Sequence, residues 1–124
     1  MTESEYKKQV FARWKKEKKF KKVFCIESEE TVPGFPDVIA SKDGNENWIF
    51  YEFKASDYRG VIKFKKSQPA FYNRHHSIQI VVMAYNNKTK HEHIFYADRI
   101  LDKESIYCIN GKFEVNLSKA EEVT

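Results

Sequence analysis

Two strand-forming segments, Asp37-Val38-Ile39-Ala40 and Trp48-Ile49-Phe50-Tyr51-Glu52-Phe53-Lys54, flank a polar connection that contains the turn dipeptide Asp43-Gly44. Segments of this kind joined in this way form an antiparallel hairpin. The hairpin constrains the chain more than any other feature, because residues paired across it share a nearly constant sum of positions. A turn centred near Gly44 and Asn45 sets Asp37 opposite Glu52. Strand alternation then puts Lys54 on the same face as Glu52 and sends Phe53 to the opposite, core-facing side. Opposed carboxylates repel, so a purely structural sheet avoids this pairing, and a divalent cation removes the objection. Carboxylate oxygens, with the Phe53 main-chain carbonyl, are hard ligands suited to Mg²⁺ or Mn²⁺ rather than zinc. The same residues also fit an ordinary solvent-exposed hairpin with unremarkable surface charges, and three residues alone do not separate the two readings.

Around the hairpin the chain reads as helix, three strands, helix, two strands and a tail. Thr2 and Glu5 have capping-box spacing, and Tyr6, Val10, Phe11 and Trp14 recur at helical intervals, giving a first helix of about four turns with a basic outer face. Val23-Phe24-Cys25-Ile26 has strand length, and Pro33, Gly34 and Pro36 break regular structure before Asp37. The stretch from Ser56 to Lys66 reads as basic and partly irregular. Ser67 and Pro69 mark the start of a short helix through Phe71, Tyr72 and Arg74. Ile78 to Tyr85 is the most apolar run and the expected buried strand, followed by the turn Asn86-Asn87-Lys88 and a strand at His93-Ile94-Phe95-Tyr96. The tail adds strands around 106–109 and 113–117, with Asn110-Gly111 as a hairpin turn. This order predicts an α/β (α+β) fold with helices packed on a sheet.

A chain of 124 residues with 41% apolar content supports one domain with a real core and is too short for two. The expected division is a core at about 3–97 and a C-terminal β appendix at about 98–124. Neither a membrane-length apolar run nor the apolar centre of a secretory signal is present, so a soluble, intracellular protein is expected. Cys25 and Cys108 stand far apart without metal-ligand spacing and read as reduced core residues. The net charge of +4 is unevenly spread. Residues 1–24 carry nine Lys or Arg against Glu3, Glu5 and Glu17, a local +6 that leaves −2 for the remainder. A second basic cluster comprises Lys54, Arg59, Lys63, Lys65, Lys66 and Arg74 against Asp57. Such clusters suit a polyanion, though a lysine run is more often a solvated helix face.

Gly34-Phe35-Pro36-Asp37-Val38-Ile39, then Glu52-Phe53-Lys54-Ala55, then Lys66-Ser67-Gln68 opening a helix with Tyr72 four residues after the glutamine, resembles the PD-(D/E)XK nuclease superfamily. Among its branches the sequence is most similar to VRR-NUC domains and small Holliday-junction resolvases, over roughly residues 3–97 in matching element order. The resemblance implies a restriction-endonuclease-like core with a central mixed sheet flanked by helices. It implies Asp37 and Glu52 as metal ligands with the Phe53 carbonyl assisting, Lys54 as the water-activating or transition-state residue, and Gln68 in support. It also implies a glutamate from the first helix. Glu3 shares a helical face with Tyr6 and Val10 and is preferred over Glu5, which has the capping task. Glu27, Glu29 and Glu30 are further acidic candidates near Asp37.

The activity implied is Mg²⁺- or Mn²⁺-dependent endonucleolytic cleavage of branched or duplex DNA, selected by shape and carried out by a homodimer presenting two centres. Lys15, Lys16, Arg59, Lys63, Lys65, Lys66 and Arg74 are the candidate DNA contacts. The implied location is the cytoplasm of a bacterial, archaeal or phage-infected cell, or the nucleus of a eukaryote. Two alternatives stand beside this one: a restriction or defence nuclease, or the nuclease subunit of a larger complex; and an inactive nucleic-acid-binding module of the same fold. His75-His76 and His91-Glu92-His93 lack zinc-site spacing and read as surface or phosphate-contact residues. Phe71, Tyr72 and Trp14 read as core, while Tyr58 and Phe64 are open between packing and base stacking.

Overall fold

Tyr6, Val10 and Trp14 lie four residues apart, so a helix carries them in one stripe that needs an apolar surface to cover. The computed structural model, which describes residues 1–26, 32–75, 77–100, 108–109 and 112–119, supplies that surface. Helix α1 (Glu3–Glu17) begins with the reciprocal capping box: the Glu5 amide donates to Thr2 Oγ1 at 3.1 Å and the Thr2 amide to Glu5 Oε1 at 3.2 Å. It ends at Lys18, whose left-handed φ of 54° turns the chain, and the Lys19 amide donates back to the Trp14 carbonyl at 3.0 Å.

Strands β1 (Lys22–Cys25), β2 (Val38–Ser41), β3 (Trp48–Ala55), β5 (Ile80–Asn86) and β6 (His91–Tyr96) form a five-stranded sheet in the order β1-β2-β3-β5-β6. The β3–β5 pair is parallel and the others are antiparallel, so the sheet is mixed. The fold is α+β, with two α-helices among the described residues. Central β5 is buried from Ile80 through Ala84, which is why its sequence is a continuous apolar run rather than an alternation. On one face α1 packs Tyr6, Val10 and Trp14 over Val38, Ala40, Tyr51, Phe53, Val81 and Met83.

The opposite face is covered by α2 (Ser67–Arg74) and a three-stranded sheet in the order β4-β8-β7, from β4 (Val61–Lys63), β7 (Cys108–Ile109) and β8 (Lys112–Asn116). Phe71 and Tyr72 of α2 meet Ile62, Phe64, Val82, Ala84, Phe95, Val115 and Leu117 there. The second sheet adds one element to the sequence expectation: the stretch from Ser56 to Lys66, read as basic and partly irregular, contains β4. A three-residue strand leaves little local periodicity, and its pairing partner, Val61 opposite Asn116, is remote in sequence. Strand β8 and the turn after it are likewise integral to the packing, since Val115 and Leu117 are fully buried.

The expectation for Cys25 needs correction. Every residue of β1 is exposed, Cys25 included, because β1 is the edge strand and α1 covers only part of it. An apolar run identifies a strand but not its position in the sheet. Glu27, Glu29, Glu30, His76 and the Asn110-Gly111 turn lie outside the described residues, as does the side chain of Cys108.

Candidate active site

Register builds the site. Val38 stands opposite Tyr51 and Ile39 opposite Phe50, so one further step along the hairpin brings Asp37 opposite Glu52 where β2 ends. Without a ladder beyond that point, the side chains close the gap: the Asp37 amide donates to Glu52 Oε2 and the Phe53 amide to Asp37 Oδ2, both at 3.1 Å. The Phe50 amide donates to Gln79 across the parallel pair, so even-numbered residues of β3 bond toward β5 and odd-numbered ones toward β2. The N–H and C=O of one strand residue point the same way, and the Phe53 carbonyl therefore faces the Asp37 edge as well.

The loop ahead of Asp37 is set by Pro33 and Gly34. The Phe35 amide donates to the Val32 carbonyl at 3.2 Å and Gly34 has φ +84°, the pattern of a type II turn with proline second and glycine third. This turn rests directly on α2: a β-carbon at Gly34 would lie 2.1 Å from the Ser67 carbonyl oxygen and 2.9 Å from Phe71 Cβ. The same helix delivers Gln68 from its first turn. Gln68 Nε2 donates to Glu52 Oε1, while its Oε1 accepts from Lys54 Nζ at 3.1 Å and from the Lys65 amide at 2.8 Å. Lys54 Nζ is also 3.8 Å from Glu52 Oε1 and 4.9 Å from the centre of the Phe64 ring. Phe64 is thus a buried platform under the amine, which resolves its role as packing.

Glu52 is 2% exposed. Burial, reinforced by the charge of Asp37 and opposed by Lys54, raises its carboxyl above the ordinary glutamate range. Tyr72, one helical turn past Gln68, has a buried hydroxyl with no hydrogen-bond partner among the described residues. Burial, then the charges of Glu52 and Asp37, raises that hydroxyl too. The sequence places Tyr72 in the core and four residues after Gln68, and that spacing is the signal that sets it on the helical face nearest the carboxylates.

Glu3 and Glu5 have different surroundings. Glu5 is exposed and held by the capping box, which lowers its carboxyl. Glu3 lies at the solvent margin of the site, where surrounding protein raises its carboxyl, Lys54 opposes the rise and Asp37 adds to it. Glu3 does not complete a cluster, however: among the described residues no three His, Cys, Asp or Glu side chains stand close enough to hold a metal ion. The oxygens at hand are those of Asp37, Glu52 and the Phe53 carbonyl. That set fits Mg²⁺, which binds through one or two carboxylates and keeps several of its waters.

A cavity of about 150 Å³ adjoins Asp37, walled by Ile26, Pro33, Phe35, Lys65, Ser67 and Gln68. Of the candidate polyanion contacts, Lys63, Lys65 and Lys66 are exposed on the segment leading into α2. Arg59 is engaged by Asp57, with Nη2 to Oδ2 at 2.8 Å, and Arg74 Nε donates to the Ala70 carbonyl at 3.4 Å. Lys15 and Lys16 sit in the last turn of α1, which at 1.5 Å per residue is about 20 Å from the Glu3 end. Glu92 accepts from Arg13 and Tyr6, so it ties β6 to α1.

Comparison with protein-family models, curated proteins and solved structures returns no match. No helix among the described residues is long and apolar enough to cross a membrane.

Proposed function

We propose that this chain is a divalent-metal-dependent nuclease that hydrolyses DNA phosphodiester bonds at Asp37, Glu52, Lys54 and Gln68, in the manner of the PD-(D/E)XK superfamily. The supporting observation is the buried Glu52 carboxylate facing Asp37, bridged through Gln68 to the Lys54 amine. A purely structural sheet gains nothing from two facing carboxylates, since burying them is costly and they repel one another. A cation-binding centre requires that arrangement.

Mg²⁺ or Mn²⁺ held by Asp37, Glu52 and the Phe53 carbonyl would supply charge neutralisation at the phosphate and a more acidic bound water. Lys54 is placed to donate to a phosphate oxygen or to orient the attacking water, because its amine stands 3.8 Å from Glu52 and is held by Gln68. Gln68 holds two groups at once, fixing the Lys54 amine through its oxygen and the Glu52 carboxylate through its nitrogen. Lys63, Lys65 and Lys66 offer cations to the flanking backbone phosphates. Branched or flap DNA is the favoured substrate, since the described residues form one small fold that leaves shape as the means of selection.

The test is cleavage of labelled junction, flap, single-stranded and duplex DNA in Mg²⁺, Mn²⁺ or EDTA. Metal-dependent cutting that disappears in Asp37→Asn and in Lys54→Ala supports the reading. Undiminished cutting by either variant, or none by the unaltered protein on any substrate, refutes it.

A further inference from the structure

Among the described residues, strand β1 is the last of the main sheet on its side and has no strand paired to its outer edge. The Ile26 amide donates inward to the Asp37 carbonyl at 2.7 Å, and the pairing of Val23 with Ala40 and Cys25 with Val38 runs in the same register. Even-numbered residues therefore bond toward β2, and the N–H and C=O groups of Val23 and Cys25 point outward along the free edge. Their side chains turn toward α1, where Phe11, Trp14 and Phe20 complete an apolar groove of about 360 Å³. Lys15 and Lys21 line the same groove, and Lys19 lies over the Phe20 ring with its amine 5.6 Å from the centre.

We propose that this edge and groove form a docking site for an extended acidic–apolar segment of a partner protein, which adds to β1 as a further strand. The open N–H and C=O groups of β1 would hold the partner's main chain. Alternate apolar side chains would enter the groove, and acidic ones would meet Lys15, Lys19 and Lys21. Charge complementarity selects this occupant over a second copy of the chain, which would bring an equally lysine-rich edge against the first. It also distinguishes the site from a nucleic-acid surface. Phosphates have no use for an apolar floor, and Trp14 packs edge-to-face on Phe20 at 4.9 Å and is 3% exposed, leaving no open ring face for a base. Trp14 and Lys15 lie at the end of α1 far from Glu3, and although the β1 edge runs up to Ile26 beside Asp37, the docking groups are not those of the carboxylate site, so the inference stands whether or not the chain is a nuclease.

The experiment measures fluorescence polarisation of a fluorescein-labelled peptide that alternates glutamate with valine and isoleucine, against the full chain at low and high salt. Saturable binding that weakens with salt is expected, along with no binding of the same peptide carrying lysine for glutamate. Val23→Pro removes an outward amide without touching a β1–β2 bond, so it should weaken binding about tenfold or more while leaving the melting temperature nearly unchanged. Lys19→Glu/Lys21→Glu should weaken binding through charge. Absence of saturable peptide binding overturns the proposal, as does binding indifferent to Val23→Pro. Two other outcomes reassign the face and also overturn it: dimerisation abolished by Val23→Pro, or duplex DNA bound through Lys19 and Lys21 in place of the peptide.

Discussion

Replacing Gly34 with alanine would drive a methyl group into the start of α2. The new β-carbon would stand 2.1 Å from the Ser67 carbonyl oxygen, 2.6 Å from its carbon and 2.9 Å from Phe71 Cβ, where ordinary contact needs about 3.5 Å or more. Two of those atoms are backbone, so α2 or the turn must move. Gly34 also holds φ at +84°, which costs an L-residue about 1–2 kcal/mol. Overpacking adds about 1–3 kcal/mol. The restricted freedom of the unfolded chain returns only about 0.4–1 kcal/mol. The net loss is about 2–4 kcal/mol, or a fall of roughly 10–20 °C in melting temperature for a chain of this size. Gly44→Ala is the internal control, since φ there is +86° but the nearest atoms to a β-carbon are at 3.5 Å or beyond. It should cost only the backbone strain less the same unfolded-state return, about 0–1.5 kcal/mol. Thermal unfolding by circular dichroism reads both variants, and displacement of Gln68 should reduce the cleavage rate of Gly34→Ala specifically. Equal destabilisation by the two, or a Gly34→Ala protein as stable as the original, would refute the close approach of the turn to α2.

Asp37→Asn keeps an acceptor for the Phe53 amide and removes the charge facing Glu52, so in EDTA it should gain stability while losing metal binding and cleavage; a lower melting temperature in denaturant-free EDTA would contradict it. Because the folded Glu52 carboxyl is raised, the folded state holds its proton more tightly than the unfolded chain does. Its contribution is complete below the ordinary value of 4.5 and lost as pH climbs through the raised range, so metal-free stability should decline across that interval and decline less in Asp37→Asn. Gln68→Ala frees the Lys54 amine and strips Glu52 of a donor, and should lower kcat about 10–100-fold with a modest loss of stability, read by single-turnover cleavage and melting. Leu117→Ala, in a segment beyond the recognisable motifs, should cost about 2–5 kcal/mol in chemical denaturation because Leu117 is fully buried against the main sheet.

Local chemistry made much of this protein legible in its sequence. The capping box at Thr2 and Glu5, the Tyr6-Val10-Trp14 stripe, the Pro33-Gly34 turn and the Asp43-Gly44 hairpin are short-range signals, each complete within a few residues. The constant sum across the hairpin was enough to bring Asp37 opposite Glu52, because register in a hairpin follows from the turn.

What depended on distant partners was not legible. The apolar run of β1 could not reveal that it would be an exposed edge, nor could Val61-Ile62-Lys63 reveal a strand whose partner is β8. Phe64 and Tyr58 looked alike in sequence, yet one is buried beneath the Lys54 amine and the other is 84% exposed on a turn. The site divides in the same way. Sequence by itself determined which carboxylates face each other, since that is a matter of alternation and turn length. Only the tertiary structure decided that Gln68 bridges Glu52 and Lys54 and that Tyr72 lies beside them. Those contacts exist because Gly34 lets the loop before Asp37 press against α2, a contact between segments that no local pattern encodes.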